Sequence, residues 1–185
     1  CCGLNSIGIA SAGGVGKVTA EWMMNGHINE DLFIYDIKRF QNFHSEISFI
    51  KERITETLGD LYGMHWPFKQ HKTSRNQKLL PYHDELKSAG ACFGVSSGYE
   101  RPMWFAKNGE SAEYKYSYNY QNWYPSAEFE TKNARENIGL FELTPFSKYE
   151  LKGETAHDEL QRICTANIRN EIGKCTYTQM LNKDG

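Results

Sequence analysis

The sequence predicts a mixed α/β chain of the α+β kind, and three observations point to it. A glycine-rich run from Gly3 to Lys17 leads into a short helical stretch that ends at Gly26. Between Glu46 and Tyr62, apolar residues recur at spacings of three and four. From Ser126 onward, short helical and strand-like units alternate. A chain of 185 residues can hold one domain or two small ones. Its 39% hydrophobic and 24% charged content is that of an ordinary globular protein.

In order, Gly3–Lys17 reads as an extended segment and a glycine turn, followed by a helix over Val18–Asn25. Gly26 to Asp31 is a loop, and Leu32–Ile37 a short strand or extended run. In the helix that follows, Ile47, Ile50, Ile54, Leu58 and Leu61 form one stripe opposite Lys51, Glu52, Glu56 and Asp60. Ser45 stands where its cap should be, and Gly63 to Pro67 stop it. His65 has no catalytic partner in reach of the sequence and reads as a hydrogen-bonded structural histidine.

Pro81 and Gly90 bracket a helix over Tyr82–Ala89. Gly98–Phe105 is a compact aromatic and charged segment of the kind that covers or connects domains. Tyr114, Tyr116, Tyr118 and Tyr120 alternate, which puts four rings on one side of an extended segment. A helix over Ala127–Ile138 follows, then strands over Gly139–Leu143 and Lys148–Lys152. Thr155–Asp158 starts a helix that carries Leu160, Ile163 and Cys164 inward. Over Lys174–Leu181, Cys175, Tyr177, Gln179 and Leu181 share a face, and Asp184-Gly185 signals a hairpin turn. A strand-like start without Met and a stop at a turn suggest a piece of a longer protein.

Composition narrows the function. A net charge of −2 supplies no basic surplus for nucleic acid, and no apolar run reaches the ~18 residues of a membrane span. The five cysteines contain no C-x-x-C pair, which argues against a zinc site or disulfide framework and for reduced thiols.

The glycine run admits several readings. A phosphate-cradling P-loop fails twice, because Ser11 holds the first glycine position and Val18 follows Lys17. A dinucleotide fingerprint is closer, with Gly14-Val15-Gly16 before a helix and Asp36 after Leu32–Tyr35, but Thr19 replaces the third glycine. A turn with no ligand remains open. In a fourth reading, Gly3-Leu4-Asn5-Ser6-Ile7-Gly8-Ile9, Gly13–Lys17 and Ala20-Glu21-Trp22 resemble the last flavin-contacting segment of the dimethylglycine and sarcosine dehydrogenase family. His65-Trp66-Pro67 and Glu100-Arg101-Pro102 with Trp104 resemble that family's connector. Gly139–Leu143, Lys148–Gly153 and Tyr177–Asn182 resemble the opening of its folate-binding, aminomethyltransferase-like domain. Glu142 and Thr144-Pro145 depart from the usual Asp and Ser.

The resemblance implies residues 1–62 as the end of an FAD-binding oxidoreductase domain, 63–120 as a central connector, and 121–185 as the start of the folate domain. It implies an FAD-dependent demethylase of dimethylglycine or sarcosine that passes the one-carbon unit to tetrahydrofolate. Gly3, Asn5, Ser6, Gly8, Ile9, Gly13 and Gly14 would line FAD, and Phe146 and Tyr177 the folate. No catalytic residue or metal ligand is assigned. Electrons would leave to an acceptor protein or oxygen, in a bacterial cytoplasm or a mitochondrial matrix. The alternative is a non-catalytic relative of the same architecture, such as the pyruvate dehydrogenase phosphatase regulatory subunit.

Overall fold

The computed structural model describes residues 1–28 and 32–182, which form two compact units, Cys1–Phe141 and Glu142–Gly185. The first unit opens with helix α1, Gly8–Asn25. The glycine turn expected over Gly13–Lys17 is therefore helix, and only Gly3–Ile7 is a turn, with Gly3 and Ser6 at positive φ. Gly26 closes α1 as expected, at φ +74, and its amide donates to the Trp22 carbonyl. The run expected as a strand over Leu32–Ile37 instead forms tight helical turns at Phe33–Tyr35 and Ile37–Arg39. The Asp36 side chain accepts from the Lys38 amide, a local bond that competes with strand formation. Part of the Gly26–Asp31 loop lies outside the described residues.

Helix α2, Ile47–Leu61, matches its predicted span, but its cap and its packing face differ from expectation. Glu46 holds the cap position, while the Ser45 hydroxyl donates to the Asn42 carbonyl and closes the turn before it. The apolar stripe from Ile47 to Leu61 is largely exposed. What α2 buries is its flank. Phe49 packs on Phe43 and His44 at 5.3 and 5.2 Å, and Arg53 and Glu56 hold residues 72–74.

The centre of this unit is a hairpin. Strand β1, Ala91–Ser96, pairs antiparallel with β2, Tyr99–Phe105, across the two-residue turn Ser97-Gly98. Both turn residues have positive φ, +53 and +80, the geometry whose twist matches the strands. A bulge shifts the register between Cys92 and Phe93, so Cys92 faces Trp104 and Phe93 faces Pro102. The segment read as a compact aromatic connector is thus one arm of a hairpin. Helix α3, His83–Ser88, packs on β1, and helix α4, Tyr124–Glu136, packs on β2. Leu80, Ala91, Cys92 and Trp104 form the buried apolar core. Glu130 of α4 accepts the Phe105 amide and so ties off the end of β2.

The tyrosines expected on one face divide. Tyr114 and Tyr116 stack on each other, with Tyr114 edge-on to Trp104, whereas Tyr118 pairs with Trp66 and Tyr120 with Tyr124. Burial pushes the Tyr114 phenol up to about 12.

In the second unit, helix α5 covers Ala156–Ile163. Thr155 is its cap residue but makes no side-chain cap bond, so the expected capping box is not formed. Gln161 instead clips the following loop, accepting the Ile168 amide and donating to the Ala166 carbonyl. The strands expected over Gly139–Leu143 and Lys148–Lys152 have no ladder partner among the described residues. Of Lys174–Leu181 one bridge forms, Cys164 with Met180, flanked by bonds from Thr165 to Gln179 and Leu181 to Ile163. The Asp184-Gly185 turn lies outside the described residues.

Candidate functional site

The expected flavin-facing residues gather at the start of α1. Gly3 to Ile7 make a turn in which the Ile7 amide donates to the Leu4 carbonyl. Ser6 is tied to the end of α2 by a 2.7 Å bond between its hydroxyl and that of Tyr62. Gly3, Asn5, Ser6, Ile9, Gly13 and Gly14 are exposed and Gly8 is partly so. The helix start has neither a side-chain cap nor an acidic residue in its first turn, so its amide end keeps its partial positive charge. Beyond the adjoining backbone of its own helix, a Cβ placed on Gly13, Gly14 or Gly16 would meet no described heavy atom within 4 Å. At Gly8 it would meet only the Leu4 Cβ, at 3.9 Å. Packing inside the chain therefore gives no reason for these glycines, each of which costs a helix roughly 1 kcal/mol relative to alanine.

The two expected folate neighbours lie in the second unit. Phe146 is 57% exposed and its amide closes a turn on the Leu143 carbonyl. Tyr177 is 92% exposed, so its ring is not spent on a core. Glu142, the departure noted in the sequence, accepts both the hydroxyl and the amide of Thr144. Those bonds, the hydroxyl foremost, hold its carboxyl below the usual range.

Three further groupings come together only in the structure, although Glu56, Asp60, Tyr118 and Tyr120 already stood out in the sequence. The first is a buried ion pair. Glu100, 2% exposed, accepts Arg75 Nε at 2.7 Å and Nη2 at 2.5 Å, and the Asn76 amide at 2.8 Å. Arg75 also donates to the carbonyls of His71 and Phe93, so one guanidinium joins the loop to β1 and β2. Burial alone would raise the Glu100 carboxyl, but Arg75 and the Asn76 amide outweigh it and hold it low.

The second grouping joins α2 to residues 69–73. Glu56 accepts the Lys72 amide and both the amide and hydroxyl of Thr73, Asp60 pairs with Lys69, and His71 Nδ1 stands 3.8 and 3.7 Å from the two carboxylates. Burial would raise the Glu56 carboxyl, yet Thr73, Lys72 and His71 bring it down to about 2. Glu56, Asp60 and His71 could in principle converge on a cation. Both carboxylates, however, are already engaged by donors and a lysine, which describes a polar clip. His65, expected to be hydrogen-bonded, is exposed.

The third grouping is an aromatic hollow of about 270 Å³. Phe68, Tyr118, Tyr120, Trp123 and Tyr124 wall it, around the buried amide of Gln121.

Residues 82–185 match the family model of the GCVT N-terminal domain, and residues 25–79 that of the FAD dependent oxidoreductase central domain. The chain belongs to the GCVT N-terminal domain family, preceded here by an oxidoreductase central domain. Over 180 residues it is 42% identical to 4-methylaminobutanoate oxidase (formaldehyde-forming) of Paenarthrobacter nicotinovorans, a match covering 97% of this chain and 22% of that protein. It is 27% identical over 209 residues to mitochondrial sarcosine dehydrogenase of Mus musculus, covering 100% and 23%. It is 29% identical over 188 residues to the mitochondrial pyruvate dehydrogenase phosphatase regulatory subunit of Mus musculus, covering 99% and 21%. The chain thus spans about a fifth of the length of these relatives. The resemblance read from the glycine, connector and folate-domain motifs is borne out.

Proposed function

We propose that the chain is part of a flavin-dependent oxidoreductase that demethylates an N-methylated amino acid. The observation that carries this is the order of the two family matches, in a chain 42% identical to an oxidase of 4-methylaminobutanoate. Dimethylglycine, sarcosine and 4-methylaminobutanoate share an N-methyl amine and a carboxylate, and this class is the proposed substrate. FAD, when bound, would accept a hydride from the N-methyl carbon, and tetrahydrofolate would take up the one-carbon unit. Electrons would pass on to an acceptor protein or oxygen, in a bacterial cytoplasm or a mitochondrial matrix.

On this reading, the residues before 25 would close the flavin domain, 25–79 with the central-domain match would connect, and 82–185 with the GCVT match would open the folate domain. The Gly3–Ile7 turn and the start of α1 would lie along the flavin. Two features support it: the uncapped, acid-free helix start suits a ring edge that gains negative charge, and the glycines of α1 leave its surface bare for close approach. The helix end is worth about 0.3–1 kcal/mol to such a charge, so it adjusts the cofactor and leaves the chemistry to groups elsewhere. Tyr177 and Phe146 would offer exposed rings, one with a polar tip, to a flat heterocycle.

A second reading, a non-catalytic regulatory protein, is favoured by the 29% identity to the phosphatase regulatory subunit across 99% of the chain. Anaerobic titration of the full-length protein separates the two. At least one of sarcosine, dimethylglycine and 4-methylaminobutanoate should bleach bound flavin. If all three leave it oxidised, the regulatory reading stands.

A further inference from the structure

From the aromatic hollow we infer a binding site for a quaternary methylated ammonium cation, a ligand distinct from the secondary and tertiary amines of the proposed flavin chemistry. Its volume of about 270 Å³ is the share of roughly nine water molecules, enough for a small metabolite. No acidic or basic side chain lines it. A phosphate or carboxylate would find no counter-charge there, and a metal ion no charged ligand.

The rings are set as walls. Phe68 stands edge-on to Trp123 at 85°, with centroids 5.4 Å apart. Tyr120 and Tyr124 meet at 4.4 Å with a 36° tilt, and Trp66 backs Tyr118 at 4.6 Å and the same tilt. The Phe68–Trp123 pair is crossed and the other two are tilted, which leaves no flat slot for a planar ligand, and π faces attract a cation that sheds water poorly into plain hydrocarbon.

The walls are also held in place. Gln121, 4% exposed, donates to the carbonyls of Pro67 and Ser117 at 2.9 and 3.0 Å and accepts the Trp123 indole N–H at 3.0 Å. One buried amide thereby joins both sides of the hollow and fixes the indole. Phe68 sits at φ +60, a conformation that a bulky residue adopts only where surroundings compel it, and such outliers gather at binding sites. The polar groups of Gln121 are satisfied within the chain, so an occupant would meet mainly ring surface, beside Pro67, Ser117 and Asn119.

Choline and its neutral twin of the same shape, 3,3-dimethylbutan-1-ol, give the test. Titration of the chain is followed by the NMR shifts of the Trp123 indole N–H and the amides of residues 117–124. Choline should shift these signals saturably and bind about tenfold more tightly than the neutral twin. Tyr118→Leu and Tyr120→Leu should each weaken choline about fivefold, with the signals of the β1–β2 hairpin unmoved, while Tyr120→Phe should keep the affinity. Equal binding of the two probes would reduce the hollow to an apolar dent and overturn the proposal. No saturable shift with choline, or a shift indifferent to the leucine variants, would overturn it as well. So would a proline decapeptide that moves these signals where choline does not, since that marks a peptide groove.

Discussion

Replacing Glu100 by alanine should cost the first unit much of its stability. The carboxylate is 2% exposed and receives three donors, while Arg75 keeps 24% of its side chain in contact with solvent. Removing one partner of such a pair leaves a largely buried, uncompensated guanidinium, at a cost of about 3–5 kcal/mol. That is a large share of the ~5–15 kcal/mol that holds a typical domain. Urea unfolding of the chain, followed by circular dichroism, measures it. The joint replacement Arg75→Met with Glu100→Leu should recover most of the loss, because a well-packed apolar pair leaves no charge stranded. The sign with pH is also fixed. The Glu100 carboxyl is held below its ordinary value of 4.5, so the pair's contribution is full above that value and fades as pH falls through the lowered one. The deficit of Glu100→Ala should shrink accordingly in acid. A loss under about 1 kcal/mol at pH 7 would refute the reasoning, since that is the scale of a solvent-exposed pair.

Gly98→Ala should destabilise the hairpin by at least about 1–2 kcal/mol, the cost of a side chain in the left-handed region, because its Cβ would also displace the Gln41 amide that donates to the Ser97 carbonyl; thermal melts of Gly98→Ala, alone and with Gln41→Ala, separate the two costs. Glu56→Gln should lose stability at neutral pH, and its difference from the parent should close between pH 4.5 and about 2, where the parent carboxylate itself takes a proton; acid titration followed by circular dichroism reads this window. In the full-length protein, Tyr177→Ala should weaken tetrahydrofolate by about 1–3 kcal/mol and leave flavin reduction near normal, which folate titration and anaerobic bleaching measure separately.

Helices were the legible part of this fold. α2, α3, α4 and α5 sit within a few residues of where periodicity, Pro81 and Gly90 put them, because these signals act within one or two turns. The hairpin was missed although Ser97-Gly98 is a turn dipeptide. Its strands lack clean alternation: β1 buries Ala91, Cys92 and Gly94, and Phe93 between them only in part. Phe33–Tyr35 looked like a strand by composition, yet strands need partners and a side-chain bond from Asp36 supplied a local alternative. The expected site residues were legible only through family resemblance, since a glycine in a helix announces neither its exposure nor what approaches it. Arg75 with Glu100, and Gln121 with Pro67, join residues 25 and 54 positions apart, and no local pattern encodes such pairings.

Burial of Cys92 turns the hairpin into its own reporter. The thiol is 4% exposed and pushed up to about 11, so at neutral pH roughly one molecule in ten thousand carries the reactive thiolate there. Cys1, Cys2 and Cys175 are exposed and Cys164 partly so, and all are free to be alkylated first. Once those four are blocked, the remaining slow label is a clock. It advances only when β1 parts from β2 and Trp104, and its rate converts into the free energy of that opening.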